Sequence, residues 1–249
     1  MRRARVLLFL VCALVCSAGP AAGRPAKALP AAPSGCGTNR PGMKFDDEFS
    51  SRAGLRPWTA LTGNYDSADL QQYRPSALSI RLSQLDITAR RTSTGYTSGR
   101  VSTVSSCKIL YGNIQARIWT PAGQGLWPAF WLVDHGDRHE LDVMESVGQR
   151  PDVSYAAVHT ATTDSVYQTT GKLAGAWHVY GLLWTSKQIK FSVDKHVFGV
   201  APNTINSPLY MVLNLALGGG WVGPPDASTQ FPAVMKVDWV RVYKLGHGG

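Results

Sequence analysis

The sequence predicts an all-β sandwich. Beyond residue 28 no apolar run sustains a 3.6-residue period, so no core helix is expected. Period-two segments recur instead, with Gly, Pro and Asn between them where turns would fall. The chain has 249 residues, 44% hydrophobic and only 16% charged, which is long enough for a sizeable core in one large β domain or two small ones. No repeat, second linker or charge block divides residues 38–246, which read as one domain.

The first 28 residues stand apart. Arg2, Arg3 and Arg5 precede "VLLFLVCALVC", an 11-residue apolar run too short to span a bilayer as a helix. Small residues follow in "SAGPAAG". This is the pattern of a signal peptide, and it predicts a secreted, extracellular protein with no membrane segment once the signal is removed. Cys16 admits a lipoprotein reading, but Ala13-Leu14-Val15 is a poor lipidation context. Residues 29–37 are a Pro/Ala-rich tether with no core pattern.

The signal also explains most of the charge. Lys and Arg number 25 against 16 Asp and Glu, a formal +9. Five of those cations lie in the first 28 residues, which leaves 20 against 16. A balance of +4 and no basic stripe interleaved with aromatics argue against a nucleic-acid partner. Two of the four cysteines also belong to the signal. Cys36 and Cys107 remain in an oxidising context, so a Cys36–Cys107 bridge is expected, with a free Cys107 in the core as its alternative.

Among the strands, "YGNIQARIW" sets Ile114, Ala116 and Ile118 against Asn113, Gln115 and Arg117. "KQIKFSVDKHVFGV" alternates Ile189, Phe191 and Val193, then turns at Asp194-Lys195-His196 into Val197, Phe198 and Val200, a hairpin. "PLYMVLNLALGGG" is apolar on both sides, so both faces should be covered. "MKVDWVRVYK" closes the chain. Trp119, Trp177, Trp184 and Trp239 read as core packing.

The segment "HELDVMES" (139–146) breaks this pattern. Glu140 and Asp142 share a face on a strand, but strict alternation would put Met144 there rather than Glu145. One extra residue at Val143-Met144, a β-bulge, would return Glu145 to that face. Two long Glu side chains on that spacing can bring their carboxyls to about 5–6 Å, close to the separation of about 5–5.5 Å that retaining glycoside hydrolysis uses. Three other readings fit the spacing: a solvated strand face, a calcium cluster, or a carbohydrate-binding protein without chemistry.

The surroundings favour hydrolysis. "GQGLWPAFWLVDHGDRHELDVMESVG" (123–148) resembles the signature region of glycoside hydrolase family 16, in its laminarinase-like, endo-β-1,3-glucanase branch. That branch carries Glu-x-Asp-x-x-Glu with a bulge, as here at Glu140, Asp142 and Glu145. "FDDEF" (45–49), "SGRVST…YGNIQARIWTPAGQGLWPAFWL" (98–132), "WHVYGLLWT" (177–185), "LYMVLNLALGGGWVG" (209–223) and "MKVDWVRVYK" (235–244) resemble family blocks in family order. The resemblance implies a concanavalin-like β-jelly-roll sandwich of two antiparallel sheets. It implies Glu140 as nucleophile, Glu145 as general acid and then base, and Asp142 as an assisting hydrogen-bond partner. Trp127, Trp131 and Trp221 would line the cleft, with His159, Asn64 and Asn214 as further sugar contacts.

No cofactor is required for that chemistry. A structural calcium on Glu48 and Asp238 would follow the family. The expected partner is a polysaccharide, met by a monomer. A mixed-linkage β-1,3/1,4-glucanase, a galactan-cleaving member, a transglycosylase and a non-catalytic carbohydrate-binding protein are the alternatives. Two departures bear on the substrate: "TGNYDSADLQQY" where relatives carry a richer Asn/Glu stretch, and His139 where Gly commonly precedes the nucleophile.

Overall fold

The computed structural model describes residues 36, 40–50 and 54–246. The expected signal peptide (1–28) and the tether, apart from Cys36, lie outside the described residues. The strands are β1 (Met43–Asp47), β2 (Thr59–Ala60), β3 (Gln71–Tyr73), β4 (Leu78–Arg81), β5 (Gln84–Thr92), β6 (Gly95–Ser98), β7 (Arg100–Ser102), β8 (Gly112–Trp119) and β9 (Leu126–Val133). They continue with β10 (Glu140–Ser146), β11 (Val153–His159), β12 (Asp164–Thr170), β13 (Trp177–Trp184), β14 (Gln188–Val193), β15 (His196–Pro202), β16 (Tyr210–Leu217) and β17 (Ala233–Tyr243). One short helix, α1 (Gly219–Val222), follows β16.

These strands form two sheets, as expected for the jelly-roll sandwich. One runs β15-β14-β13-β8-β17-β5-β6-β3, with β1 on β17 and β4 on β5. The other runs β12-β11-β10-β9-β16-β7-β2. Among the described strands every pairing is antiparallel except β3 with β6. About half of the paired strands are consecutive in sequence and the rest are not, so the sheets are knit by crossovers as well as hairpins. No helix among the described residues is long and apolar enough to cross a membrane.

The core lies between the sheets and follows the period-two pattern. On β8, Ile114, Ala116 and Ile118 are fully buried while Asn113, Gln115 and Arg117 point outward. Each such Ile contributes about 1.5–3 kcal/mol by leaving water. Trp184, Trp58, Tyr180, Phe45, Phe49, Phe130 and Phe191 are the bulky side chains of this core. The β14–β15 hairpin turns on Asp194 and Lys195, both at positive φ (49° and 72°), the conformation that tight hairpins favour. His196 already belongs to β15, opposite Val193.

Cys36 and Cys107 form the expected disulfide, with Cα atoms 4.7 Å apart. A loop of 71 residues closed in this way contributes roughly 4 kcal/mol in the chain-entropy account.

The tryptophans correct the sequence reading. Trp184 is in the core, but Trp119, Trp177 and Trp239 are half-buried on the outer face of the ten-stranded sheet. Each lies beneath a cation: Lys236 over Trp119, Arg117 over Trp177 and Arg241 over Trp239, at 5.6, 4.7 and 4.2 Å from the ring centroids. The stems and charges of long basic side chains cover indole faces that would otherwise require burial in the core. At Trp239 the register against β8 also slips, between Val237 and Trp239.

Candidate active site

The site lies on the outward face of the seven-stranded sheet, over β9, β10, β11 and β16. Cross-strand partners share a face. Glu140 pairs with His159, Asp142 with Ala157 and Trp131, and Glu145 with Tyr155 and Ala129. Between Asp142 and Glu145 the chain of β10 advances three residues while β9 and β11 each advance two. The extra residue is the expected bulge. Val143 and Met144 both turn into the core, fully buried. All three acids therefore point away from the core. Asp142 and Glu145 are nevertheless buried at 3% and 8% exposure, while Glu140 is half-buried.

An aromatic wall surrounds Glu145. The Trp127 indole N–H donates to Glu145 Oε1 at 2.9 Å. Trp221, 39% exposed, stands edge-on to Trp127 and to Tyr155, with centroids 5.3 and 4.9 Å away. Its loop is anchored beneath by Val222, which packs with Val147, Val153 and Tyr155. The side-chain amides of Gln124 and Gln149 each donate to Val222 O at 2.9 Å. Gly219, at φ +86°, lets this loop close on Trp127: a Cβ there would meet the indole at 3.2 Å.

On the other side, Trp131 donates its indole N–H to Asn214 Oδ1 at 2.7 Å. The Arg100 guanidinium lies between Trp131 and Tyr65, 4.9 and 4.3 Å from their ring centroids. Asn64 sits on the exposed loop nearby, but its amide serves that loop, donating to Asp69 O and accepting from Asp66 N–H.

His159 bridges two acids. Its Nε2 is 3.1 Å from Asp142 Oδ2 and its Nδ1 is 2.8 Å from Asp164 Oδ1. Glu140, Asp142 and His159 each offer a donor atom, all within 4.8 Å of one another. An imidazole in the set is a poor match to calcium, which takes oxygen ligands.

The turn that delivers Glu140 is built on Asp134. Its Oδ1 accepts the Arg138 N–H at 2.9 Å, and its Oδ2 lies 2.9 Å from His139 Nδ1. Burial pushes this carboxyl up, but the Arg138 amide and the His139 ring and amide outweigh it and hold it below its ordinary value. His139, where a glycine was the commoner choice, is thus a strut of the turn, with Ser207 Oγ 3.4 Å from the same nitrogen.

The calcium expectation does not fit these residues. Both Glu48 oxygens receive the Arg241 guanidinium, at 2.8 and 3.0 Å, and Arg40 approaches at 3.1 Å. Asp238 accepts from Arg117 at 2.7 Å. Guanidinium cations already occupy the two carboxylates that were to bind the metal.

Residues 63–241 match the family model described as glycosyl hydrolases family 16. The chain belongs to glycosyl hydrolases family 16. This family 16 chain is 40% identical over 164 residues to the endo-1,3-1,4-beta-glycanase EglC of Rhizobium meliloti (strain 1021), covering 60% of this chain and 34% of that protein. It is 32% identical over 179 residues to the beta-glucanase of Rhodothermus marinus, covering 60% of this chain and 63% of that one. The endo-beta-1,3-glucanase of Pyrococcus furiosus has a similar fold, with a TM-score of 0.74 at 29% identity over 83% of this chain and 95% of its own. The chain thus spans about a third of the length of the Rhizobium relative.

Within this family 16 fold, the three acids, Trp127, Trp131, Trp221, His159 and Asn214 gather on one sheet face. Glu48 and Asp238 stand apart from them, in arginine pairs. Sequence reasoning missed Tyr155 and Arg100. Tyr155 lies in step with Ala157 and His159, so the period of β11 marked it. Arg100 lies inside the quoted block at 98–132, but nothing in the pattern distinguished it from a solvated charge.

Proposed function

We propose that this protein is a secreted, endo-acting glycoside hydrolase that cleaves β-1,3-glucan or mixed β-1,3/1,4-glucan with net retention. One observation carries the reading: the bulge that returns Glu145 to the face of Glu140 and Asp142. Two carboxyls on one face of an aromatic-lined sheet suit double displacement, with Glu140 attacking the anomeric carbon and Glu145 protonating the leaving oxygen, then activating water. Asp142, two residues from Glu140 and against His159, fixes the nucleophile's surroundings. The indoles of Trp127, Trp131 and Trp221 offer apolar faces and N–H groups to pyranose rings. These groups suffice without a cofactor.

The relatives' names supply the substrate class: an endo-1,3-1,4-beta-glycanase, a beta-glucanase and an endo-beta-1,3-glucanase. The disulfide and the signal-like residues 1–28 support secretion, with 29–37 as tether and 38–246 as the catalytic domain. The test is a panel of laminarin, mixed-linkage glucan and a galactan, with reducing-sugar release, polymer binding and product sizing measured in parallel. Intermediate oligosaccharides from the glucans are expected. Binding without release would replace the enzyme with a lectin.

A further inference from the structure

Asp164 opens β12 directly opposite His159 on β11. Its side chain is 73% exposed, that of His159 32%, and that of Asp142 4%. The three form a line from solvent to the acidic strand: Asp164 Oδ1 to His159 Nδ1 at 2.8 Å, then His159 Nε2 to Asp142 Oδ2 at 3.1 Å. Both contacts are within ion-pair distance, so each carboxylate faces one ring nitrogen. A neutral imidazole carries one N–H hydrogen and its protonated form two. With Nδ1–H turned to Asp164, the ring presents Nε2 to Asp142. The carboxyls facing His159 are Asp142 and Glu140 from β10 and Asp164 from β12.

We propose that Asp164 is a positioning residue, acting through His159 to hold the Asp142 carboxyl in place beside Glu140. The exposed carboxylate fixes which ring nitrogen bears its hydrogen and how the ring is turned. A buried carboxyl that must stay fixed next to an attacking group thereby gains a partner anchored from the rim of the sheet. Without Asp164 the half-exposed ring is free to turn, and Asp142 loses a defined neighbour. Asp164 touches neither the reacting atoms nor the core, so its loss falls on turnover rather than on folding or substrate affinity.

This rests on the hydrolytic reading above, and the experiment separates the two. Steady-state kinetics on laminarin compare wild type, Asp164→Ala, Asp164→Asn, His159→Ala and the His159→Ala/Asp164→Ala double variant, with melting temperatures in parallel. Asp164→Ala is expected to lower kcat by about five- to tenfold, the worth of one hydrogen bond, with KM and melting temperature little changed. Asp164→Asn keeps an acceptor oxygen and should recover most of the loss. The double variant should be no slower than His159→Ala alone, because the two residues act through one path. Wild-type kcat in Asp164→Ala, an Asn variant no better than Ala, or losses that multiply in the double variant would each overturn the proposal. An inactive wild type would instead sink the hydrolytic reading.

Discussion

The indole N–H of Trp127 lies 2.9 Å from Glu145 Oε1, so the residue that walls the cleft also fixes one of its two long carboxyls. The same ring is braced by Trp221 and approached by Gly219. Trp127→Phe keeps an aromatic face but removes the donor. A hydrogen bond to a group that carries charge in turnover contributes about 1.5–3 kcal/mol. Activity on laminarin should fall by roughly tenfold or more, with little change in melting temperature. Kinetics at wild-type level would show that Glu145 needs no such anchor.

Asp142→Asn keeps size and shape in a position that is almost fully buried. It removes a charge and replaces one acceptor facing His159 with an amide. The fold should be retained, since Val143 and Met144 still anchor the bulge in the core. Turnover should drop by about one to two orders of magnitude, the worth of a charge-assisted hydrogen bond. Circular dichroism and kcat measured on the same sample decide it: full activity would remove Asp142 from the mechanism.

Asp47 sets a pH dependence of stability away from the site. It accepts the Phe49 N–H at 2.8 Å and the Trp58 indole N–H at 2.9 Å. Burial, aided by the charges of Asp46 and Glu48, pushes its carboxyl up to about 6 despite those two donors. The folded state therefore binds this proton more tightly than the unfolded chain does. The contribution to stability is fully present below the unfolded value near 3.8 and is lost as pH rises through about 6. Relative to Asp47→Asn, wild type should gain on the order of 2–3 kcal/mol as pH falls across that window. Denaturant melts at several pH values check this, and parallel curves for the two proteins would contradict it.

Arg241 and Arg117 hold Glu48 and Asp238 as ion pairs rather than as ligands. Calcium addition and chelation should both leave the melting temperature unchanged. A rise with calcium that disappears in Glu48→Gln would restore the metal site.

The sequence made the acidic strand legible because few arrangements reconcile three acids with that apolar run. Leu141, Val143 and Met144 had to face inward, and only an inserted residue lets Glu145 rejoin Glu140. The outer tryptophans were not legible. An alternating strand marks two faces, but it does not say which face is wet when a cation from the same strand (Arg241 over Trp239) or a neighbouring one (Lys236 over Trp119, Arg117 over Trp177) covers the indole. Trp239 is harder still, since the bulge beside it erases the alternation. Arg241, the bidentate partner of Glu48, and Arg117, the partner of Asp238, lie 193 and 121 positions away, a separation that no local pattern reports. Tyr155 could have been read from the period of β11; the Gln124 and Gln149 struts under Trp221 could not.

The central claim is that Glu140 attacks and Glu145 supplies and removes the proton. Azide rescue of Glu145→Ala tests it most directly, with an activated aryl β-glucoside as substrate and NMR of the product. Glu140 should still form the covalent glycosyl-enzyme, because a good leaving group departs unaided. Azide, which needs no general base, should then displace it from the opposite face and yield the β-glycosyl azide after two inversions. The account predicts that β product, with Glu140→Ala giving the α-azide instead. An α-azide from Glu145→Ala would contradict the assignment and exchange the roles of the two glutamates.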